Sequence, residues 1–415
     1  MQDNEKKPAL RFKGFTDPWE QRKLTNLCEK FTDGDWIEAK DQSDSGVRLV
    51  QTGNVGVTEY LDKPNNKKWI SFETFEQLHC EEVYPGDILI SRLPEPAGRA
   101  CIMPNLGTKM ITAVDCTIVR PNAVTSTRFL LQYLSSQAYF DAVNTCLAGG
   151  TRQRISRGNL AQFNVPIPSS KIEQEKIGEI LEKLDTLITL HQRKYEKLVN
   201  IKKSMLDKMF PKNGASVPEI RFKGFTDPWE QRKLGEIAKE VVRNDPASDA
   251  PIMMITAGNG FIEQSDRYAF NNAGESLKKY ILLERGELAY NHGASKLRPY
   301  GSCFALTTVE KARIPFVYHC FSVEKSNPEF LSIELNGANV ENQLRKIVSS
   351  GARMDGLLNI AYSEYTEVTV QLPKKEEQDW IAKFFKHLDT LITLHQRKLE
   401  KLQNIKKSCL EKMFV

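Results

Sequence analysis

The sequence predicts an α/β (α+β) protein: two tandem mixed α/β domains separated by two long antiparallel coiled-coil helices, arranged as a pseudo-twofold internal repeat. Three observations lead to this prediction. The 14 residues RFKGFTDPWEQRKL occur at 11–24 and again, unchanged, at 221–234. A segment of 27 residues at 184–210 recurs at 388–414 with four differences. Both of these later segments continue a heptad pattern of apolar residues, which indicates long helices.

The repeats divide the chain into two units, each with a near-constant head, a variable middle and a near-constant tail. The predicted boundaries are 1–170 for the first α/β domain with its head, 171–210 for the central helix, 211–373 for the second α/β domain with the repeated head, and 374–415 for the C-terminal helix.

Each head supplies apolar anchors, which in the first copy are Phe12, Phe15 and Trp19, and a proline, Pro18, that favours a turn. Structural need alone would tolerate substitutions between the two copies. The verbatim repetition of the head therefore suggests recent copying between the two units.

The variable middles are predicted to share one mixed α/β fold. Short β-rich runs separated by Gly and Pro recur in the first middle, at 86–91, 116–121 and 163–168. Weak parallels connect the two middles, because YPGDILISR at 84–92 aligns with ERGELAYNH at 284–292. The two domains are therefore expected to differ in the residues they present rather than in their framework.

The tails are predicted to be helices of about 35 residues, which corresponds to rods of roughly 50 Å. Their apolar stripes would be buried best against each other, as an antiparallel pair. The seam residues that we single out are Leu184, Ile188, Tyr195, Leu198, Leu388, Ile392, Leu399 and Leu402.

Four polar residues also fall on the heptad positions: His191, His395, Lys202 and Lys406. They could set the register of the helix pair or contact a partner protein. Alternatively, the true seam drifts and these residues lie at its edge. A metal site formed by the two histidines has little support.

Composition indicates a soluble protein. Of its 415 residues, 40% are hydrophobic and 27% are charged, and the sequence contains neither an uncharged apolar stretch long enough for a membrane span nor a secretory signal. We expect a cytoplasmic protein without membrane contact. The eight cysteines lack metal-ligand or paired spacing and are predicted to be reduced thiols.

Charge alone does not indicate nucleic-acid binding by the middles. Residues 25–168 carry 14 basic and 16 acidic side chains, and residues 235–373 carry 14 and 17. Local clusters are more suggestive, because Arg and Asn suit base edges and Lys suits phosphates. A solvated basic loop is the alternative for each cluster. The candidate DNA-binding residues are Arg92, Arg152, Arg154 and Arg157 in the first middle, and Asn291, His292, Lys296, Arg298 and Arg353 in the second.

No catalytic motif was found, and no cofactor is expected. The DPWE stretch at 17–20 lacks the second proline and the Gly-rich companion loop that a methyltransferase of exocyclic amines would carry. The sequence contains no phosphate-binding GxxxxGK[ST] loop, no G-x-S-x-G nucleophile elbow and no clustered nuclease carboxylates. The chain is predicted to bind rather than to catalyse.

The order of these elements, repeated twice, resembles the specificity subunit of a type I restriction-modification system. The residues that carry the resemblance are the two heads, the GGTR turn at 149–152, the VPIP strand at 165–168, and the helix entries EQEKI at 173–177 and EQDWI at 377–381. The second unit departs modestly, with SGAR and VQLP in the corresponding places.

The resemblance implies that each middle is a target recognition domain reading one half of a bipartite, asymmetric double-stranded DNA site. It also implies that the helices space the domains and dock two methyltransferase subunits, with restriction and translocase subunits joining in the full complex. Two other hypotheses remain: a stand-alone DNA enzyme, and a coiled-coil adaptor whose variable domains bind proteins rather than DNA.

Overall fold

The chain divides into two compact units in the computed structural model, which describes residues 8–150, 153–212, 214–266, 274–348 and 358–414. One unit comprises residues 1–194 with 395–415, and the other comprises residues 195–394. Both borders fall inside long helices, so each unit contains an α/β body and one part of each helix. The predicted mixed α/β architecture with two long helices is confirmed.

In its described part, the first unit has two four-stranded sheets and a short ribbon. The sheet orders are β2-β9-β6-β7, which is antiparallel, and β3-β5-β4-β8, in which only β4 and β8 run parallel. The strands are β1 (Glu20–Lys23), β2 (Cys28–Asp33), β3 (Gln42–Ser43), β4 (Val47–Val50), β5 (Lys68–Ile70), β6 (Ile88–Ser91), β7 (Ala100–Ile102), β8 (Met110–Thr112), β9 (Cys116–Pro121) and β10 (Asn164–Ile167).

Four short helices and one long helix accompany these strands. All four short helices begin after a serine whose hydroxyl accepts a backbone N–H, as expected at a helix N-cap: Ser71, Ser126, Ser136 and Ser156. The helices are α1 (Phe72–Gln77), α2 (Thr127–Tyr133), α3 (Gln137–Thr145), α4 (Arg157–Gln162) and α5 (Lys171–Lys208).

The second unit repeats the antiparallel sheet as β12-β19-β16-β17 and adds smaller ribbons, β13-β14 and β15-β18. Its strands are β11 (Glu230–Lys233), β12 (Ala238–Glu240), β13 (Met253–Thr256), β14 (Gly260–Glu263), β15 (Ile281–Glu284), β16 (Leu288–Asn291), β17 (Ser302–Ala305), β18 (Lys311–Ile314), β19 (His319–Val323) and β20 (Thr369–Leu372). Its helices are α6 (Pro328–Leu335), α7 (Ala338–Ile347), α8 (Tyr362–Tyr365) and α9 (Lys375–Met413).

Each constant head forms a strand that pairs with the strand before a long helix. β1 pairs antiparallel with β10, with Glu20 opposite Ile167, and β11 pairs in the same way with β20, with Glu230 opposite Leu372. The head and the tail of each unit are therefore joined directly by backbone hydrogen bonds, and the variable middle lies between these two strands in the sequence.

The end of each long helix completes a hydrophobic core. Met413 and Phe414 are buried in the first unit, where the Phe414 ring contacts those of Trp19 and Phe129. In the second unit, Phe210 contacts Trp229 and Phe330 in the same way. The repeated KMF sequence thus serves the same packing role in both units.

The two long helices run antiparallel to each other in the first unit. Asp185 pairs with Lys406, and His191 lies opposite His395, so residue numbers rise along α5 as they fall along α9. In the second unit, Lys202 and Asp389 form the corresponding ion pair. The proposed seam residues are buried or half-buried: Leu184, Ile188, Tyr195, Leu198, Leu388, Ile392, Leu399 and Leu402.

The seam histidines face each other directly. Their Nδ1 atoms are 2.8 Å apart, so one ring donates a hydrogen bond and the other accepts it. Partial burial, together with His395 and the nearby lysines 398 and 194, lowers the pKa of His191. These contacts agree with polar positions that set the register and not with a seam that drifts past them.

Candidate nucleic-acid interface

The basic turn of the first unit is held by its backbone. Ala148 and Arg154 exchange two backbone hydrogen bonds of 3.0 and 2.9 Å, and Ile155 between the two exposed arginines is fully buried. The Ser156 hydroxyl then accepts the N–H of Asn159 and starts α4. Because Ile155 points into the core, Arg154 and Arg157 emerge from a fixed backbone on either side of it.

Arg92 lies inside the unit, with 8% of its surface exposed. Its Nη2 donates to the Val114 carbonyl oxygen at 2.6 Å, and its own carbonyl accepts the Ile155 N–H at 3.1 Å. The side chain therefore joins the end of β6 to two neighbouring segments. This burial leaves little of Arg92 for a nucleic acid, in contrast to the direct contact expected from the sequence.

Two aspartates connect the arginines of this turn. Asp33 Oδ1 is 3.5 Å from Arg92 Nε, and Asp33 Oδ2 is 3.5 Å from Arg157 Nε. Asp115 Oδ1 is 3.8 Å from Arg92 Nη2 and 3.5 Å from Arg154 Nη1. The side chains of Arg154 and Arg157 are 61% and 46% exposed. The structure thus brings together three of the predicted arginines and two carboxylates that the sequence reasoning missed.

In the second unit, Asn291 and His292 are occupied by the protein itself. The Asn291 amide donates to the Ile255 carbonyl oxygen at 3.1 Å and accepts the Gly293 N–H at 2.9 Å. His292 is 5% exposed, and its two ring nitrogens lie 2.8 and 2.7 Å from the carbonyl oxygens of Leu358 and Val317. Both side chains hold the loop that follows β16, and neither projects freely from it.

Lys296 and Arg298 lie further along the same loop. Lys296 is exposed. Arg298 is half-buried and donates from Nη1 to the Asn336 carbonyl oxygen at 2.6 Å, which caps the C-terminal end of α6. Burial lowers the pKa of Arg298. Lys296 is therefore the more accessible of the two cations, while Arg298 shapes the loop.

The two remaining sequence candidates, Arg152 and Arg353, lie outside the described residues.

A second set of residues, missed as functional in the sequence, fixes each domain to its helix. Arg11 makes two hydrogen bonds to the Glu173 carboxylate, at 2.7 and 2.9 Å, and Arg221 does the same with Glu377, at 2.7 and 2.6 Å. Both glutamates are 1% exposed. These hydrogen bonds, opposed in part by burial, raise the pKa of Arg11 and Arg221. The presence of Arg in both heads and of Glu in both helix entries was the signal that could have revealed the pairs.

The glutamine that follows each of these glutamates has an equally regular role. Gln174 accepts the Ser126 N–H at 2.8 Å and donates to the Pro168 carbonyl oxygen at 2.9 Å. Gln378 accepts the Asn327 N–H at 2.8 Å and donates to the Pro373 carbonyl oxygen at 2.9 Å. The EQ pair of each helix entry therefore orients the helix against its own domain.

Among the described residues, no group of three or more His, Cys, Asp or Glu side chains is arranged to hold a metal ion. Within those residues too, none of the helices combines the length and the apolar character needed to cross a membrane.

The chain is similar in sequence to proteins of one kind. Residues 16–200 match the family described as the type I restriction modification DNA specificity domain. The chain is 22% identical over 420 residues to a Methanocaldococcus jannaschii protein named as the specificity subunit of the type I restriction enzyme MjaX, covering 94% of this chain and 91% of the relative. It is also 22% identical over 319 residues to the EcoKI specificity subunit of Escherichia coli K12, covering 72% of this chain and 67% of the relative.

A solved structure shares the fold over nearly the whole length. The S subunit of a type I restriction-modification system from M. genitalium aligns with a TM-score of 0.62 at 14% identity, covering 98% of this chain and 99% of that one. Residues 16–200 thus resemble a DNA specificity domain of the type I restriction-modification class. Together with the two relatives, this match confirms the resemblance to specificity subunits of type I restriction-modification systems that the repeated segments indicated.

Proposed function

We propose that each unit reads one half of a bipartite, asymmetric double-stranded DNA target, and that the chain is not itself catalytic. The observation that carries this proposal is the repeated frame around divergent loops. β6 and β16 have the same position in equivalent sheets, yet they lead into Arg92 in one unit and His292 in the other. Two domains with the same framework and different loops are suited to recognise two different DNA sequences.

The exposed cations are the proposed DNA contacts. In the first unit these are Arg154 and Arg157, with Arg152 retained as a prediction; in the second they are Lys296, the accessible part of Arg298, and Arg353 as a prediction. Guanidinium groups form bidentate contacts with guanine, and lysine favours phosphates. We assign Arg92, Asn291 and His292 to support of these loops, because their polar groups are already engaged within the protein.

The helices are the proposed docking surface for two methyltransferase subunits, with restriction and translocase subunits joining in the full complex. Within the stretch of sequence that both helices share, Leu187, Leu190 and Leu394 are 42%, 45% and 45% exposed. Packing between the helices does not require leucines at such exposed positions. Leu190 and Leu394 occupy equivalent positions of the repeat, and an apolar side chain exposed at the same position of both helices fits two copies of one partner.

The variable middles carry a slight excess of acidic over basic residues, which is unfavourable for affinity to DNA. Neutralisation of phosphates supplies much of the salt-dependent binding energy of DNA-binding proteins. Tight binding of DNA by this chain is therefore expected to need its partner subunits. This expectation predicts weak binding of DNA by the isolated chain and strong binding by the assembled complex.

Exchange of one variable middle tests the proposal. We expect that replacing residues 25–168 with the corresponding segment of another specificity subunit changes one half of the methylated sequence and leaves the other half as it was. The measurement is genome-wide mapping of methylated sites in cells that carry the methyltransferase subunits. An unchanged methylated sequence would favour the protein-binding adaptor, and methyl transfer by the isolated chain would show that it is an enzyme.

A further inference from the structure

We propose that Asp33 and Asp115 are positioning residues that hold Arg154 and Arg157 in place to read the half-site of the first unit. This inference rests on the proposed function and deepens it, because it assigns residues that do not themselves contact DNA. It arises from the network of three arginines and two aspartates at the ends of β2, β6 and β9.

The centre of the network is rigid. The guanidinium group of Arg92 is within ion-pair distance of both carboxylates, at 3.5 Å from Asp33 and 3.8 Å from Asp115. Its hydrogen bond to the Val114 carbonyl oxygen fixes its orientation. The buried guanidinium group is permanently charged and lies between the two carboxylates. If either carboxylate moved away, part of that positive charge would be left uncompensated, so both carboxylates are held in place.

Each aspartate has further support of its own. The Thr117 hydroxyl donates to Asp33 Oδ1 at 2.9 Å, which leaves Oδ2 to face Arg157. Asp115 lies in the turn before β9, where its carbonyl oxygen accepts the Arg92 N–H at 2.9 Å. The two carboxylates are only 26% and 27% exposed, so they are partly screened from solvent and have little freedom of movement.

Arg154 and Arg157 are oriented by the carboxylates, but their hydrogen-bond donors are not used up by them. Each is 3.5 Å from its carboxylate, which is close enough for electrostatic attraction but longer than an ordinary hydrogen bond. Their N–H groups therefore remain available to the edge of a base. Binding loses less conformational entropy when a long side chain is already oriented in the free protein.

The second unit provides a natural contrast. His292 occupies the position of Arg92, and its carbonyl oxygen accepts the Leu358 N–H at 2.8 Å, just as Arg92 accepts from Ile155. The His292 ring, however, contacts backbone carbonyl oxygens where Arg92 contacts carboxylates. Loss of either aspartate should therefore affect recognition of the first half-site only.

The test uses the full chain assembled with its methyltransferase subunits and compares Asp115→Asn, Asp33→Asn and Arg154→Ala with the unmodified chain. Methylation is measured on DNA sites that carry one wrong base in either half, after the exchange of residues 25–168 has identified the half read by the first unit. Asp62→Asn is the matched control, because it removes one exposed negative charge from the same unit and its only ion-pair partner in the described residues is Lys67.

We expect Asp115→Asn and Arg154→Ala to raise methylation of sites with a wrong base in the first half by about fivefold or more, with the second half unaffected. We expect a smaller change of the same kind for Asp33→Asn, because Thr117 can still hold the amide. Asp115→Asn should also free Arg154 from its carboxylate, so that Arg154 can contact a phosphate instead. The dependence of DNA affinity on salt concentration should then become steeper by an amount that corresponds to about one additional phosphate contact. Asp115→Glu should restore specificity in part.

The inference would be overturned if Arg154→Ala relaxed the first half while both aspartate variants matched Asp62→Asn. It would equally be overturned if the aspartate variants lowered the specificity for both halves of the DNA site to the same extent. That result would indicate a general loss of rigidity in the protein rather than an effect on Arg154 and Arg157. If neither the exchange of residues 25–168 nor Arg154→Ala changed the methylated sequence, the proposed function itself would fail. Thermal unfolding of each variant shows whether the first unit remains folded.

Discussion

At the scale of single residues, the buried pair of Arg11 and Glu173 explains part of the repetition in the sequence. Its counterpart, Arg221 with Glu377, has the same two hydrogen bonds in the second unit. Arginine and glutamate were both visible in the sequence, in the head and in the helix entry. Their contact was not predictable, because 162 residues separate the two partners in the first unit.

We expect Glu173→Gln to destabilise the first unit by about 3 kcal/mol, because it leaves the Arg11 charge unpaired beside a buried group. Hydrogen exchange, followed separately in the two units under mild denaturant, measures this effect. Glu182→Gln is the control, since Glu182 lies on the same helix and pairs with Arg128 at the exposed surface. That control should cost less than about 1 kcal/mol. Equal effects of the two substitutions would show that burial does not matter here.

Arg92 and His292 show how far sequence reasoning could go at the candidate site. Alignment of the two middles correctly identified them as equivalent positions, because each follows the same strand of an equivalent sheet. Charge and residue type then suggested contact with DNA. The sequence could not reveal that both side chains turn inward, since that depends on the carbonyl oxygens and carboxylates that the fold brings around them.

At the scale of elements, the long helices were the most predictable part of the molecule. A heptad pattern is local, and the predicted helices at 171–210 and 374–415 agree with α5 and α9 to within two residues at each end. The order of the strands was not predictable. The parallel pair of β4 and β8, for example, joins residues 62 apart and leaves no periodic signal.

The helix seam gives a prediction at this scale. We expect simultaneous Leu184→Glu and Leu388→Glu substitutions to disrupt the helix pair, because each places a charge where a leucine packs against a core. Circular dichroism during thermal unfolding and methylation by the assembled complex are the measurements. Lys197→Glu, at an exposed position of α5, is the control and should leave both nearly unchanged. A stable and fully active double variant would contradict the seam.

At the scale of the whole molecule, the division into units cuts across the order of the sequence. The second unit is one continuous stretch, whereas the first is assembled from residues 1–194 and 395–415. The repeats in the sequence indicated a head and a tail for each unit. They did not indicate that the KMF residues at 412–414 complete the core of the first unit, since packing partners so distant in sequence leave no local pattern.

We expect Phe414→Ala to destabilise the first unit by about 3 to 5 kcal/mol, because Phe414 fills a core beside Trp19 and Phe129. The second unit should keep its stability. Hydrogen exchange resolved by residue distinguishes the two units, and Phe210→Ala is the matched variant, expected to weaken the second unit instead. A uniform loss of protection across both units after either substitution would contradict the division described above.

The discontinuity of the first unit has a consequence for synthesis on the ribosome. Domains generally fold as they emerge, starting from the N-terminus. Here residues 195–394 leave the ribosome as one continuous unit, while residues 1–194 must wait for Phe414, which is translated after the whole second unit. The nascent chain therefore carries an unfinished first core while the second unit is being made, and that core can close only once the distant C-terminal part of α9 has emerged.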